Sequence, residues 1–158
     1  MKRIIPVIAF LLFALAVFSA PAFAQRNIDP KIERDPVLEK DAKHNLEVAW
    51  QYFKLKKAYI GVLGRYEETA AAYPEFSKMD EFLYLAGMSS YYLSNNRGKQ
   101  KLEAAPEKDK VKYTPERLRE DAVAYLNMML EKNPASKYKD EAEKVLQDLK
   151  SQPKLAPQ

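Results

Sequence analysis

The sequence predicts an all-α protein of about five helices, paired as antiparallel hairpins and stacked in a short row. Three observations predict it. Apolar residues recur at the helical spacing i, i+3, i+4, i+7 in successive segments. Capping residues and prolines punctuate those segments where helices would start and stop. A helix–proline–helix pattern then recurs at an offset of 60 residues. No stretch alternates apolar and polar residues over strand length between turn signals.

The first 24 of the 158 residues are expected to be a signal peptide rather than fold. Lys2 and Arg3 open it, Ile4 to Phe18 is almost wholly apolar, and Ala22-Phe23-Ala24 offers a cleavage site. The apolar run falls short of the roughly 20 residues that span a bilayer, although an uncleaved anchor is the alternative. Cleavage would leave 134 residues, and loss of Lys2 and Arg3 would lower the net charge from +4 to +2. Residues 25–35 are polar and read as a flexible lead-in, and residues 36–150 as the helical domain.

Asp35-Pro36 is a cap followed by a proline at the first helical position. It starts helix 1, expected over Pro36 to Lys56 with Leu46, Ala49, Trp50 and Phe53 on its inner face. Helix 2 is expected over Ala58 to Ala72, with Val62, Leu63, Tyr66 and Ala70 facing in, and Tyr73-Pro74 ends it. Ser77 and Asp80 resemble a capping pair for helix 3, expected over Lys78 to Leu93 with Phe82, Leu85, Ala86 and Ser89 inside. Asn95 to Gly98 breaks that pattern, and residues 97–113 read as an exposed charged loop. Thr114-Pro115 starts helix 4, expected to Lys132, with Ala122, Val123, Leu126, Met129 and Leu130 inside. Asn133-Pro134 stops it. Ser136 is expected to cap helix 5, Lys137 to Lys150, whose inner face is Ala142, Val145, Leu146 and Leu149. The tail, residues 151–158, should be disordered.

The repeat carries the architecture. Pro74 pairs with Pro134 at the offset of 60, and so do Asp80-Glu81 with Asp140-Glu141 and Tyr66 with Leu126. Helix 1 to helix 3 is a shorter step of 36 residues, from Leu46 to Phe82, so the charged loop reads as an insertion. One hairpin cannot bury its apolar face alone, so neighbours stack and a terminal helix caps the row.

Counted back from Pro74, the residues Leu46, Ala49, Trp50, Phe53, Val62, Tyr66 and Thr69 stand at pattern positions that resemble the tetratricopeptide repeat. The phrases Tyr73-Pro74-Glu75-Phe76-Ser77, Asp80 to Gly87 and Asn133 to Tyr138 are similar to those of BamD-like outer-membrane assembly proteins. The resemblance implies a right-handed solenoid of tetratricopeptide type and a protein-binding role in the envelope, with outer-membrane assembly as its context. It also implies that the first helix of each hairpin lines a peptide groove. His44, Glu47, Gln51 and Lys54 from helix 1, with Leu83, Gly87 and Tyr91 from helix 3, are the candidates for that groove. Trp50 stands where the repeat has a glycine, which implies wider spacing between paired helices there. The family's lipid anchor has no counterpart, because the chain contains no cysteine.

Catalysis finds little to work with. One histidine and no cysteine leave almost nothing for a metal site or a thiol nucleophile. The pairs Glu67-Glu68, Asp80-Glu81 and Asp140-Glu141 are adjacent on helices and point apart, and the last two suit the dipole of a first turn. No catalytic residue, metal or cofactor is expected. Acidic residues lie among the basic ones, against a nucleic-acid stripe. Tyr52, Tyr59, Tyr66 and Tyr73 recur every seven residues, either as packing or as an open contact surface. The expectation is a periplasmic protein- or peptide-binding module, soluble or peripheral at the outer membrane, with no membrane span after cleavage. A structural spacer that binds through the charged loop is the alternative, and a small-ligand carrier the remotest reading.

Overall fold

The computed structural model describes residues 34–102 and 110–151. The leader at 1–24, most of the lead-in, the loop centre at 103–109 and the tail from 152 lie outside the described residues. Five α-helices and no strand occur among those described: α1 Pro36–Gln51, α2 Tyr59–Ala72, α3 Met79–Ser94, α4 Pro115–Lys132 and α5 Lys139–Ser151. The fold is therefore all-α.

Two helix starts follow the expected chemistry. The Asp35 carboxylate accepts from the amides of Val37 (2.8 Å) and Leu38 (3.2 Å), with Pro36 behind it. Thr114 Oγ1 accepts from the Arg117 amide at 3.2 Å, with Pro115 behind it. These bonds satisfy amides that have no carbonyl partner within the helix. α1 continues beyond Gln51 as a π-helical turn, Tyr52–Lys56, and ends at Lys57 in the left-handed region (φ 48°, ψ 40°). The expected single helix to Lys56 is thus wound more loosely over its last five residues.

Ser77 does not cap α3. Its hydroxyl and amide both bond the carboxylate of Glu39 on α1, and Lys78, at the cap position, makes no side-chain bond. A carboxylate from another helix has taken the serine that a local capping pair would need. Ser136 accepts from the Tyr138 amide at 3.4 Å, and α5 begins at Lys139, two residues later than expected.

The two turns at the 60-residue offset are built alike. Tyr73 (φ −150°, ψ 76°) and Asn133 (φ −144°, ψ 84°) end α2 and α4 in the same extended geometry, each before a proline. The Phe76 amide donates to the Tyr73 carbonyl and the Met79 amide to the Phe76 carbonyl. In the second turn the Ser136 amide donates to Asn133 and the Lys139 amide to Ser136. Pro74 and Pro134, expected among the repeat core, are exposed, and their part is to set this turn.

α3 is the centre of the bundle and touches each of the other four helices. Every residue from Phe82 to Ser90 is buried, so α3 has no solvent-facing stripe along that run. Leu46, Ala49, Val62, Tyr66, Leu126 and Met129 fill the space around it. Gly87 lets α4 come close: a Cβ built there would stand 2.6 Å from Leu126 Cγ. Trp50 and Phe53, expected inside, are only partly buried.

Candidate functional site

α3 is joined to α5 and to Tyr138, the residue just before it, by three side-chain bonds in one register. Tyr138 Oη donates to Glu81 Oε1 at 2.9 Å, Tyr84 Oη to Glu141 Oε2 at 2.6 Å, and Tyr91 Oη to Asp148 Oδ2 at 2.8 Å. Each pair is separated by 57 residues. A constant separation means that the two helices run parallel and keep step. The spacing 81, 84, 91 against 138, 141, 148 also puts each set on one helix face. Met88 and Val145, both buried, share the same register.

α1 joins this face through Trp50. Its Nε1 donates to Glu81 Oε1 at 2.8 Å, the oxygen that also accepts from Tyr138. The indole lies 6.2 Å from the Tyr84 ring and 5.9 Å from the Tyr138 ring, and those two tyrosines stack at 4.1 Å. Lys54 Nζ sits over the indole at 4.3 Å. The ring neighbours of Trp50 thus belong to its own helix, to α3 and to the start of α5. The indole serves the side of the bundle where α1, α3 and α5 meet. Phe53, Tyr59 and Tyr92 extend the aromatic cluster along it.

The electrostatics follow from that packing. Burial first, then the Glu141 carboxylate taking its hydroxyl bond, holds the Tyr84 phenol well above its ordinary value. Burial and then Glu81 do the same to Tyr138, and burial and then Asp148 raise the Tyr91 phenol. These phenols stay protonated and donate. They are fixed donors, not proton-transfer groups near neutral pH.

The sequence-derived groove residues divide into two sets. His44, Glu47, Gln51 and Lys54 are all exposed on the outer side of α1 and its π turn. Tyr91 is half-buried at the α3–α5 seam. Leu83 and Gly87 are buried on the opposite side of α3. Gly87 is covered by Leu126 of α4 and presents nothing to a ligand. Leu83 instead lines a second feature, an open cleft of about 510 Å³ between α2 and α4. Tyr66, Ala70, Met79 and Met128 make its apolar wall, with Glu131 and Lys132 at its edge.

Glu81, Tyr84, Tyr138, Glu141 and Asp148 build the seam; the sequence reading makes Glu81 and Glu141 dipole partners and gives Tyr84, Tyr138 and Asp148 no site role. The signal was present: Glu81–Tyr138 and Tyr84–Glu141 are complementary pairs at one separation. Compared with protein-family models, with curated proteins and with solved structures, the chain matches none of them. No family is assigned on those grounds. Among the described residues no helix is long and apolar enough to cross a membrane, and no three His or acidic side chains converge on a metal position.

Proposed function

We propose that the chain is a protein-binding module of tetratricopeptide type that acts in the cell envelope. The observation that carries the reading is the α1–α3–α5 face. The first helices of two successive hairpins and the terminal helix are locked side by side by tyrosine–carboxylate bonds and by Trp50. Rigid aromatic side chains bordered by exposed polar ones suit recognition of a peptide or helix, because little conformational freedom is lost on binding. The matched turns after α2 and α4 support the repeat reading. The leader-like first 24 residues support export, and the resemblance of residues 40–150 to BamD-like proteins suggests outer-membrane assembly as the setting.

A photo-crosslinking residue at Glu47 or Gln51 is the direct test, because both side chains are exposed beside the Trp50 cluster. In envelope preparations a discrete adduct is expected from these positions, weakened when Lys54→Glu is added, with helicity unchanged. Adducts confined to a probe at Met128 would move the site to the α2–α4 cleft. An adduct containing β-barrel assembly components supports the assembly setting; other envelope proteins retain the module and remove that setting.

A further inference from the structure

One end of the bundle carries a basic surface that, apart from Lys54, the protein-binding reading does not use. Lys57 closes the π turn after α1, and its carbonyl accepts from the Lys99 amide at 3.0 Å. The Arg97 amide donates to the Tyr92 carbonyl at 2.8 Å. Gln100 Oε1 accepts from the amides of Ile60 (3.0 Å) and Gly61. The Lys99–Lys57 bond joins two turns, residues 54–57 and 97–101, and Gln100 ties the second to the start of α2. Lys54, Lys56, Lys57, Arg97, Lys99 and Lys101 are all exposed on them. None of the six is in an ion pair among the described residues. The chain has no carboxylate between Glu47 and Glu67, nor between Glu81 and Glu103. On α5 the Asp148 carboxylate is bonded to Tyr91. Lys54 and Lys56 rest over Trp50 and Tyr52, which leaves their charge in place.

Amid these cations Leu55 is 75 % exposed. A chain of acidic residues alone has no apolar group to set against that leucine, and the described cleft lies elsewhere, between α2 and α4. A lipid surface uses both features: anionic headgroups attract the cations, and an apolar side chain enters the headgroup–acyl boundary. We propose that the turns at 54–57 and 97–101 dock the protein onto an anionic lipid surface, with Leu55 inserted and the lysines and Arg97 around it.

The test is co-sedimentation of the full chain with phosphatidylglycerol-containing vesicles and with phosphatidylcholine vesicles. The ratio of the two partition coefficients is compared between parent and variants, which share the N-terminal segment with its Lys2 and Arg3, so that binding through that segment cancels. Lys56→Ala/Arg97→Ala/Lys99→Ala is expected to lower the ratio by roughly a hundredfold, from about fivefold per basic residue at a membrane surface. Lys57 is left alone because its backbone is left-handed. Leu55→Ala should lower binding to the anionic vesicles several-fold. Helicity should not change in either variant, since the altered side chains are exposed. A parent ratio near one, or a ratio that the triple variant leaves intact, overturns the proposal. So does binding to soluble polyglutamate that matches vesicle binding and ignores Leu55→Ala, which would assign the surface to an acidic chain.

Discussion

Two glycines make opposite demands on a methyl group. At Gly64 nothing lies within 4 Å of a built Cβ and the residue is exposed on α2. Gly64→Ala should therefore stabilise the fold by about 0.5–1 kcal/mol through helix propensity alone. At Gly87 the same Cβ meets Leu126 Cγ at 2.6 Å and Cδ2 at 2.7 Å. The branch point of a fully buried leucine cannot swing away as a chain end would, so overpacking of about 1–3 kcal/mol exceeds the propensity gain. Gly87→Ala should lower the denaturation midpoint while Gly64→Ala raises it. Equal shifts in the same direction would show that α3 and α4 are not so tightly apposed. Sequence periodicity could place Gly87 on a face of α3. It could not tell that α4 covers that face, because every position from Phe82 to Ser90 is buried and no polar stripe marks an outside.

Helix ends were legible in the sequence where the cap is local and obscure where it comes from elsewhere. Asp35 and Thr114 precede their own prolines and cap as their spacing implies. α2 has Ala58 at its cap position, which offers no acceptor. Its first amides turn instead to Gln100, some 40 residues along the chain. That contact lies in a segment that reads as exposed loop, because one polar residue among charges gives no sign of its partner. Gln100→Ala should cost about 1 kcal/mol, the usual loss when an N-terminal acceptor is removed. Gln100→Glu keeps the acceptor and places a negative charge at the positive end of α2, so it should match or exceed the parent. Urea denaturation of the two variants separates the readings: if both lose stability alike, side-chain shape rather than acceptance matters at this site.

Across the whole molecule, the tyrosines of the α3–α5 seam, and Tyr125 on α4, tie stability to their protonation. The phenols of Tyr84 and Tyr138 are raised by burial and then by the carboxylates they donate to, and Tyr125 by burial and then by Tyr66 beside it. In the unfolded chain each would ionise near 10. Because the folded values lie higher, the folded state keeps these protons when the unfolded state has lost them. Their contribution is complete below pH about 10 and is lost as pH rises through the folded values. Each phenol can steepen the fall by at most about 1.4 kcal/mol per pH unit, and by less at the more solvated Tyr138. The denaturation midpoint should hold steady up to pH about 10 and then drop. The phenolate absorbance of the folded chain should lag that of the denatured chain. Lysines also titrate near 10.4 and form a background common to all variants. Tyr84→Phe should flatten the drop while leaving that background, and Glu141→Gln should do so in part by removing the charge that opposes the phenolate. A folded chain whose phenolate band rises together with that of the denatured chain would mean that the 57-residue register between α3 and α5 does not hold in solution.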